Sequence, residues 1–257
     1  MVGRELTSIY HKPETEKKTA LFKVKKLRTS TYPEHELNFE LAGGEILGFA
    51  GLVGAGRSEM AQAIFGVDPA LEGHLELDGK IMVLNTKQAI KNGIYLIPED
   101  RKKSGLILDM TIRQNMSLPS LKEYSKNGLI QKAGEKQLAL EQIQKMKIKV
   151  PDDSYTASTL SGGNQQKIVL GKWMSMNPKV IIFDEPTRGI DIGARSEIYT
   201  LMNHLAAQGC AIIMISSDME EVLGMSDRIC VMHEGKLTGT LKRSEFSEES
   251  VMQLAVQ

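Results

Sequence analysis

Residues 159–191 constrain this chain more than any other stretch. They read TLSGGNQQKIVLGKWMSMNPKVIIFDEPTRGID. The apolar run Val180-Ile181-Ile182-Phe183 is too short for a helix and ends on two acids, Asp184 and Glu185. A short apolar run of this kind reads as a strand buried on both faces, and the acids then stand at its C-terminal end, where open α/β sheets bind their ligands. A carboxylate in that place commonly holds Mg²⁺ or orients water for phosphoryl chemistry. Upstream, Leu160-Ser161-Gly162-Gly163-Asn164-Gln165-Gln166 leads into a helical pattern carried by Ile168, Leu170 and Trp173. Ser161 is placed to cap that helix, and the glycines leave backbone N–H groups open to an anion. Trp173 reads as a packing residue.

A second phosphate signal lies near the start. Gly51-Leu52-Val53-Gly54-Ala55-Gly56-Arg57-Ser58 follows an apolar run at residues 46–50 and precedes a helical pattern at 59–65. It fits G-x-x-x-x-G-K-[ST] except at Arg57, where lysine is expected. Gly51, Gly54 and Gly56 allow the backbone to fold around phosphates, and the Ser58 hydroxyl is placed for a metal ion. Arginine keeps the charge, but its planar fork is larger than an ammonium group. Glu59 adds negative charge next to the loop. Nucleotide binding is therefore expected, and efficient hydrolysis at this loop is not.

The remaining pattern alternates strands and helices. Residues 20–27 read as an edge strand, and 38–41 and 45–50 as two more strands. Residues 73–77 and 80–84 flank an Asp78-Gly79 turn, and 94–97 form a buried strand stopped by Pro98. Glu99-Asp100-Arg101-Lys102-Lys103 then reads as a polar loop near the nucleotide. Residues 111–118 and 130–146 read as helices, with Ala133, Leu138, Ile143 and Met146 toward a core. Strands follow at 211–215, 228–232 and 236–240, with helices at 194–207, 219–223 and 246–255. Residues 1–18 are polar and aperiodic, an arm or linker.

Composition narrows the function classes. The 257 residues carry a formal net charge of zero, which argues against non-specific nucleic-acid binding. Cys210 and Cys230 sit in or beside apolar runs and read as reduced core residues. No apolar run approaches the roughly 20 residues that span a bilayer, and no secretion signal opens the chain, so a cytoplasmic protein is expected.

Taken together, LSGGNQQK, the VIIFDE strand and the phosphate loop resemble the signature, Walker B and Walker A motifs of ATP-binding cassette (ABC) ATPases. The resemblance covers nearly all of residues 21–255. It implies an α/β P-loop cassette with a RecA-like parallel-rich core, an antiparallel β subdomain and an inserted helical subdomain at about 106–175 that includes the signature, within a domain spanning 19–257. More narrowly, GFAGLVGAGR at 48–57 and YLIPEDRK at 95–102 look like the second, C-terminal cassette of bacterial monosaccharide importers of the ribose and galactose type. In such proteins two cassettes are fused, so residues 1–18 would be the intercassette linker.

The resemblance further implies ATP and Mg²⁺ as cofactors. Gly51, Gly54, Gly56, Arg57, Ser58 and Glu99 would bind nucleotide, with Tyr32 as a candidate adenine contact. Ser58 and Asp184 would hold the metal. Glu185 stands at the general-base position and Ser217 where the family has its switch histidine. Asp191 falls in the D-loop. Leu160, Ser161, Gly162, Gly163 and Gln165 would complete the ATP site of a partner cassette. Arg57, Glu99 and Ser217 all depart from the family pattern, which implies a weakened Walker side and a competent signature side. Expected partners are the N-terminal cassette, transmembrane sugar permease subunits and, indirectly, a periplasmic or extracellular sugar-binding protein. The chain would then sit on the cytoplasmic face of the membrane through the permease, and be soluble and weakly active alone. The competing readings are a nucleotide-binding regulatory or scaffold module with negligible hydrolysis, and a DNA-maintenance ATPase. Neutral charge and the lack of a long coiled-coil insertion weigh against the last.

Overall fold

The computed structural model describes residues 20–257, so the expected arm at 1–18 lies outside the described residues. The chain forms two compact units. The first holds the described residues up to Leu96 together with Lys179–Thr187 and Arg195–Gln257. The second holds Ile97–Pro178 and Arg188–Ala194.

The first unit contains two sheets. Strands β1 (Ala20–Arg28), β2 (Leu37–Ala42), β4 (Glu72–Leu77) and β5 (Lys80–Met82) form one, in the order β2-β1-β4-β5. β1 pairs antiparallel with both β2 and β4. It is therefore an interior strand and not the edge strand expected from its loose alternation. Phe22, Val24 and Leu27 are fully buried, which explains how a strand with a charged outer face holds the centre.

The second sheet has six strands. β3 (Ile46–Gly51), β6 (Ile94–Ile97), β9 (Val180–Asp184), β10 (Ala211–Ile215), β11 (Arg228–His233) and β12 (Lys236–Lys242) lie in the order β12-β11-β3-β10-β9-β6. β9, β10, β3 and β11 run parallel to their neighbours in this series, and only β12 is shown antiparallel, against β11. Every residue of β6, β9 and β10 is buried. Interior strands of a parallel sheet face packed layers on both sides and so lose the polar alternation of a half-exposed strand. Helices α1 (Arg57–Phe65), α2 (Thr86–Lys91), α6 (Ile192–Ala207), α7 (Met219–Met225) and α8 (Glu248–Ala255) alternate with the strands. The two sheets meet through Phe39 and Phe49, whose rings stand edge to face 5.0 Å apart.

The second unit is helical. α3 (Ile112–Ser117), α4 (Lys132–Lys145) and α5 (Gly162–Met174) make up most of it. Residues 106–175 fall inside it. A two-stranded hairpin, β7 (Ser125–Lys126) with β8 (Leu129–Ile130), precedes α4. Both strands are exposed and too short to show a period, so the sequence carried no signal for them. The inward face of α4 also differs from expectation. Ala133 is exposed, and the buried residues are Glu135, Leu138, Ala139 and Gln142. The Ser117 hydroxyl donates to Glu135 Oε1 at 2.6 Å, which lets an acid replace an apolar residue on that face.

Gly48, in the middle of β3, shows how tightly α7 covers the sheet. A Cβ there would stand 3.0 Å from Ser226 Cβ and 3.3 Å from Val222 Cγ1. Crowding of that order costs about 2 kcal/mol in a packed core. Gly48→Ala should therefore lower stability by about 2 kcal/mol by urea unfolding. In a Ser226→Gly background the same change should cost less than half as much, and an equal cost in both backgrounds would locate the strain elsewhere.

Candidate functional site

In the first unit, parallel pairing aligns the strand ends. Ile215 of β10 lies opposite Phe49 of β3 on one side and Asp184 of β9 on the other. The loop at 51–56 leaves β3, residues 184–185 end β9, and residues 216–217 follow β10, so all three segments share one sheet edge. This is the edge where the sequence motifs were expected to meet.

The loop itself is built by backbone. Gly54 and Gly56 take the left-handed conformation, with φ of 81° and 92°. A Cβ at Gly51 would stand 2.8 Å from Ala55 Cβ, so only glycine fits beneath the turn. The Gly235 N–H donates to the Ala55 carbonyl at 2.9 Å, fastening the loop to the β11–β12 turn. Gly56 is the N-cap of α1 and brings no side-chain acceptor, which leaves N–H groups of the first helical turn open to an anion. Tyr32 packs its ring against Gly56 and Gly235, and its hydroxyl donates to the Gly54 carbonyl. It also lines a cleft of about 540 Å³ together with His35, Leu52, Val53 and His233.

Two side-chain pairs lie behind the loop. The Ser58 hydroxyl donates to Asp184 Oδ1 at 3.0 Å. The Ser217 hydroxyl donates to Glu185 Oε2 at 3.0 Å. Arg57 is buried and points toward the sheet, where Nη1 donates to the Ser216 carbonyl at 2.7 Å. Burial holds its guanidinium below the ordinary arginine value, while Glu185, Asp184 and Glu59 pull the other way. Asp184 is pushed up to about 6, chiefly by burial and further by Glu185, against the opposing effects of the Ser58 hydroxyl and Arg57. The hard oxygen atoms of Ser58 and Asp184 fit Mg²⁺, which would also relieve the cost of a buried carboxylate.

Glu221 lies deeper and escaped the sequence reading. It is fully buried, and its carboxyl is pushed up by burial while the hydroxyls of Ser216, Thr187 and Tyr199 favour the charged form. The available signal was its helical spacing of four from the buried Met225.

The second unit carries the other motif. Ser161 caps α5, accepting from the Asn164 N–H. Asn164 in turn donates to the Lys149 carbonyl and accepts from the Lys149 N–H, at 3.3 and 3.1 Å. Ser161 is exposed and Leu160, Gly162 and Gly163 are half-buried, so this end of α5 is reachable from outside the unit. Gln165 is different. It is buried, and its amide nitrogen donates to the Ala157 carbonyl at 3.0 Å. The side chain grouped with the signature loop by resemblance thus faces inward and supports the turn that precedes Ser161. Asp191 is exposed, and its Oδ1 accepts the Ala194 N–H at 3.0 Å. Glu99 forms an ion pair with Arg188. The polar loop expected after Pro98 is a single turn of π-helix, Arg101–Gly105, whose first N–H groups are capped by Asp100. A π turn gives no periodic signal in sequence.

Among the described residues no helix is long and apolar enough to cross a membrane, and no group of three or more His, Cys, Asp or Glu side chains gathers as a metal cluster. Cys210 and Cys230 are buried and free.

Comparison with known proteins gives a consistent result. The family model for the ABC transporter matches residues 35–188. The ribose import ATP-binding protein RbsA of Lactococcus lactis subsp. cremoris (strain SK11) is 47% identical over 256 residues, covering 99% of this chain and 52% of that protein. RbsA of Bacillus subtilis (strain 168) is 46% identical with the same coverage. The chain spans about half the length of the curated relatives it matches. Among solved structures, the ATP-binding cassette MJ1267 superposes with a TM-score of 0.75 at 20% identity, covering 93% of this chain and 100% of that one. A dimeric post-hydrolysis state of the cassette MJ0796 bound to ADP and Pi superposes with a TM-score of 0.72 at 22% identity, covering 88% and 100%. At these identities the structural likeness speaks to fold alone.

The electrostatics of Asp184 yield a pH prediction. An acid whose folded value is about 6 holds its proton more tightly folded than unfolded, where carboxylates titrate near 4. The folded state therefore loses stability as pH rises from about 4 to about 6. Asp184→Asn removes that loss. Without divalent cations, its stability relative to the parent should rise by about 2 kcal/mol between pH 4 and pH 7 in urea titrations. A pH-independent difference would contradict the buried, charge-costly position of this carboxylate.

Proposed function

The chain belongs to the ABC transporter family, and from that membership we propose that it is the second, C-terminal cassette of a two-cassette sugar importer. The reading is supported by relatives named as ribose import proteins, of which this chain matches about half. In this proposal ATP binding and hydrolysis at the cassette interface drive permease subunits through alternating access. A sugar-binding protein outside the membrane selects the cargo, and the chain works at the cytoplasmic face through its hold on the permease.

The two motif sets take unequal roles. Gly51, Gly54, Gly56 and Ser58 would cradle the phosphates of a nucleotide, with Tyr32 beside them, and Ser58 with Asp184 would hold Mg²⁺. Mg²⁺ would supply charge neutralisation of the phosphates. Glu185 would orient water, assisted by Ser217 in place of a histidine. A serine hydroxyl takes no second proton near neutral pH, so Ser217 can hold the Glu185 carboxylate but cannot present an imidazolium-like cation. Leu160, Ser161, Gly162 and Gly163, with Asp191 of the D-loop, would complete the site held by the other cassette. Gln165 would support that loop from beneath.

The observation that carries this division is the direction of Arg57. Its guanidinium is committed to the Ser216 carbonyl within the core, while Ser161 is exposed. The same observation supports a second reading, in which this half binds nucleotide as a regulatory module with negligible turnover of its own. The two readings differ in whether this half is needed for the partner's hydrolysis.

In the reconstituted two-cassette importer, Ser161→Arg should lower steady-state ATP turnover at least tenfold, because the bulky side chain blocks the close approach of phosphate to the N-terminus of α5. Arg57→Met, which keeps the side-chain volume, should leave turnover within about threefold of the parent, a change under roughly 1 kcal/mol. The opposite ranking, with assembly intact in both variants, would reverse the assignment of competent and weakened sites.

A further inference from the structure

The segment that follows β6 makes contacts that neither the phosphate loop nor the signature explains. Gly162 is the first residue of α5, and a Cβ added there would stand 3.3 Å from the guanidinium carbon of Arg101. The same guanidinium donates through Nη1 to the Arg188 carbonyl at 3.3 Å. Arg188 sends its own side chain back to Glu99 as an ion pair. Glu99 and Arg101 thus grip residue 188 from two sides, one through its side chain and one through its carbonyl. The Arg101 guanidinium also lies beside Gly162 at the start of α5.

The far end of the segment is fastened as well. Lys172 of α5 is buried, and its Nζ donates to the Gly105 carbonyl at 2.6 Å. The ammonium also stands 4.9 Å from the Trp173 ring centroid. Gly105 fits closely, since a Cβ there would meet Val169 Cγ2 at 3.0 Å and Arg101 Cβ at 3.4 Å. The π turn between these anchors is therefore pinned to α5 at its end and to residue 188 at its start. All of these residues belong to the second unit.

We infer that Arg101 is a positioning residue for the signature loop, packing its guanidinium beside Gly162 at the start of α5 while donating to the Arg188 carbonyl, so that the signature and the segment leading to Asp191 are held in one geometry. Glu99 serves in this chain as the acid that fixes Arg188, whose carbonyl Arg101 holds. The inference rests on the proposed role of the signature in completing the partner's ATP site. An arginine suits the task because one edge of its planar guanidinium can donate to a carbonyl while its flat face packs against backbone, which an ammonium group cannot do. The exposed Glu99–Arg188 pair contributes little to global stability. Its expected effect is on turnover and not on folding.

The test uses the full two-cassette polypeptide with its permease in proteoliposomes, with kcat and KM for ATP measured for each variant. Arg101→Ala should lower kcat at least fivefold while KM changes less than twofold. The urea midpoint should stay at the parental value. Arg101→Lys should recover less than half of the lost kcat. Reversing Glu99→Arg or Arg188→Glu alone should lower kcat at least threefold, and the double reversal should recover most of that loss. Ser161→Arg runs alongside. If Ser161→Arg abolishes turnover while Arg101→Ala stays within twofold of the parent, the positioning role of Arg101 is overturned and the signature reading stands. If Ser161→Arg itself retains full turnover, the signature reading fails and takes the inference with it. Should Arg101→Ala not assemble, the charge reversal decides: no recovery in the double variant overturns the inference.

Discussion

The parallel register of β3, β10 and β9 is the constraint on which the first unit depends. Ile215 faces Phe49 and Asp184 across the sheet, and this pairing brings the phosphate loop, the two acids and residues 216–217 to one edge. A slip of one residue would turn every side chain of a strand to the opposite face. Because these strands are buried on both faces, the register is not set by polar alternation. It is set by the crossover helices, by tight contacts such as Gly48 under Ser226 and Val222, and by bonds that reach across the edge. Arg57 to the Ser216 carbonyl and Ser58 to Asp184 are such bonds.

These bonds also give the edge its chemical character. Asp184 is buried beside a second acid, and Arg57 is buried without a carboxylate contact of its own in the hydrogen-bond pattern. The charges stabilise one another at a distance, and burial works against both. An anion with its metal ion would ease the strain on Asp184 but would find the arginine fork already engaged. In the second unit, Asn164 and Gln165 hold the turns around the entrance of α5, while Lys172 in its last turn holds the Gly105 carbonyl.

Much of this was legible from residues alone. Short apolar runs marked β3, β9 and β10, ended by a glycine, an acid and a serine respectively, and Ser161 read as the cap it is. Where sequence reasoning fell short, the cause was local and physical. β1 looked like an edge strand because its alternation is loose, yet its second neighbour, β4, lies more than forty residues along the chain. Glu135 and Gln142 of α4 broke the apolar face because hydrogen bonding can satisfy a buried polar group. The π turn at residues 101–105 and the small hairpin before α4 have no period to detect. The direction of Arg57 was beyond sequence, since a basic residue in a phosphate loop is expected to face the phosphate. The role of Glu99 was hidden for a similar reason, because its partner Arg188 lies far along the chain.

The central claim is that this chain supports hydrolysis at a partner's site more than at its own. The most direct measurement is steady-state ATP turnover of the assembled two-cassette importer after Glu185→Gln, compared with the corresponding Glu-to-Gln change in the other cassette. The account predicts that Glu185→Gln keeps most of the parental turnover while the change in the other cassette abolishes it. Loss of turnover on Glu185→Gln, with the other cassette's variant still active, would contradict it.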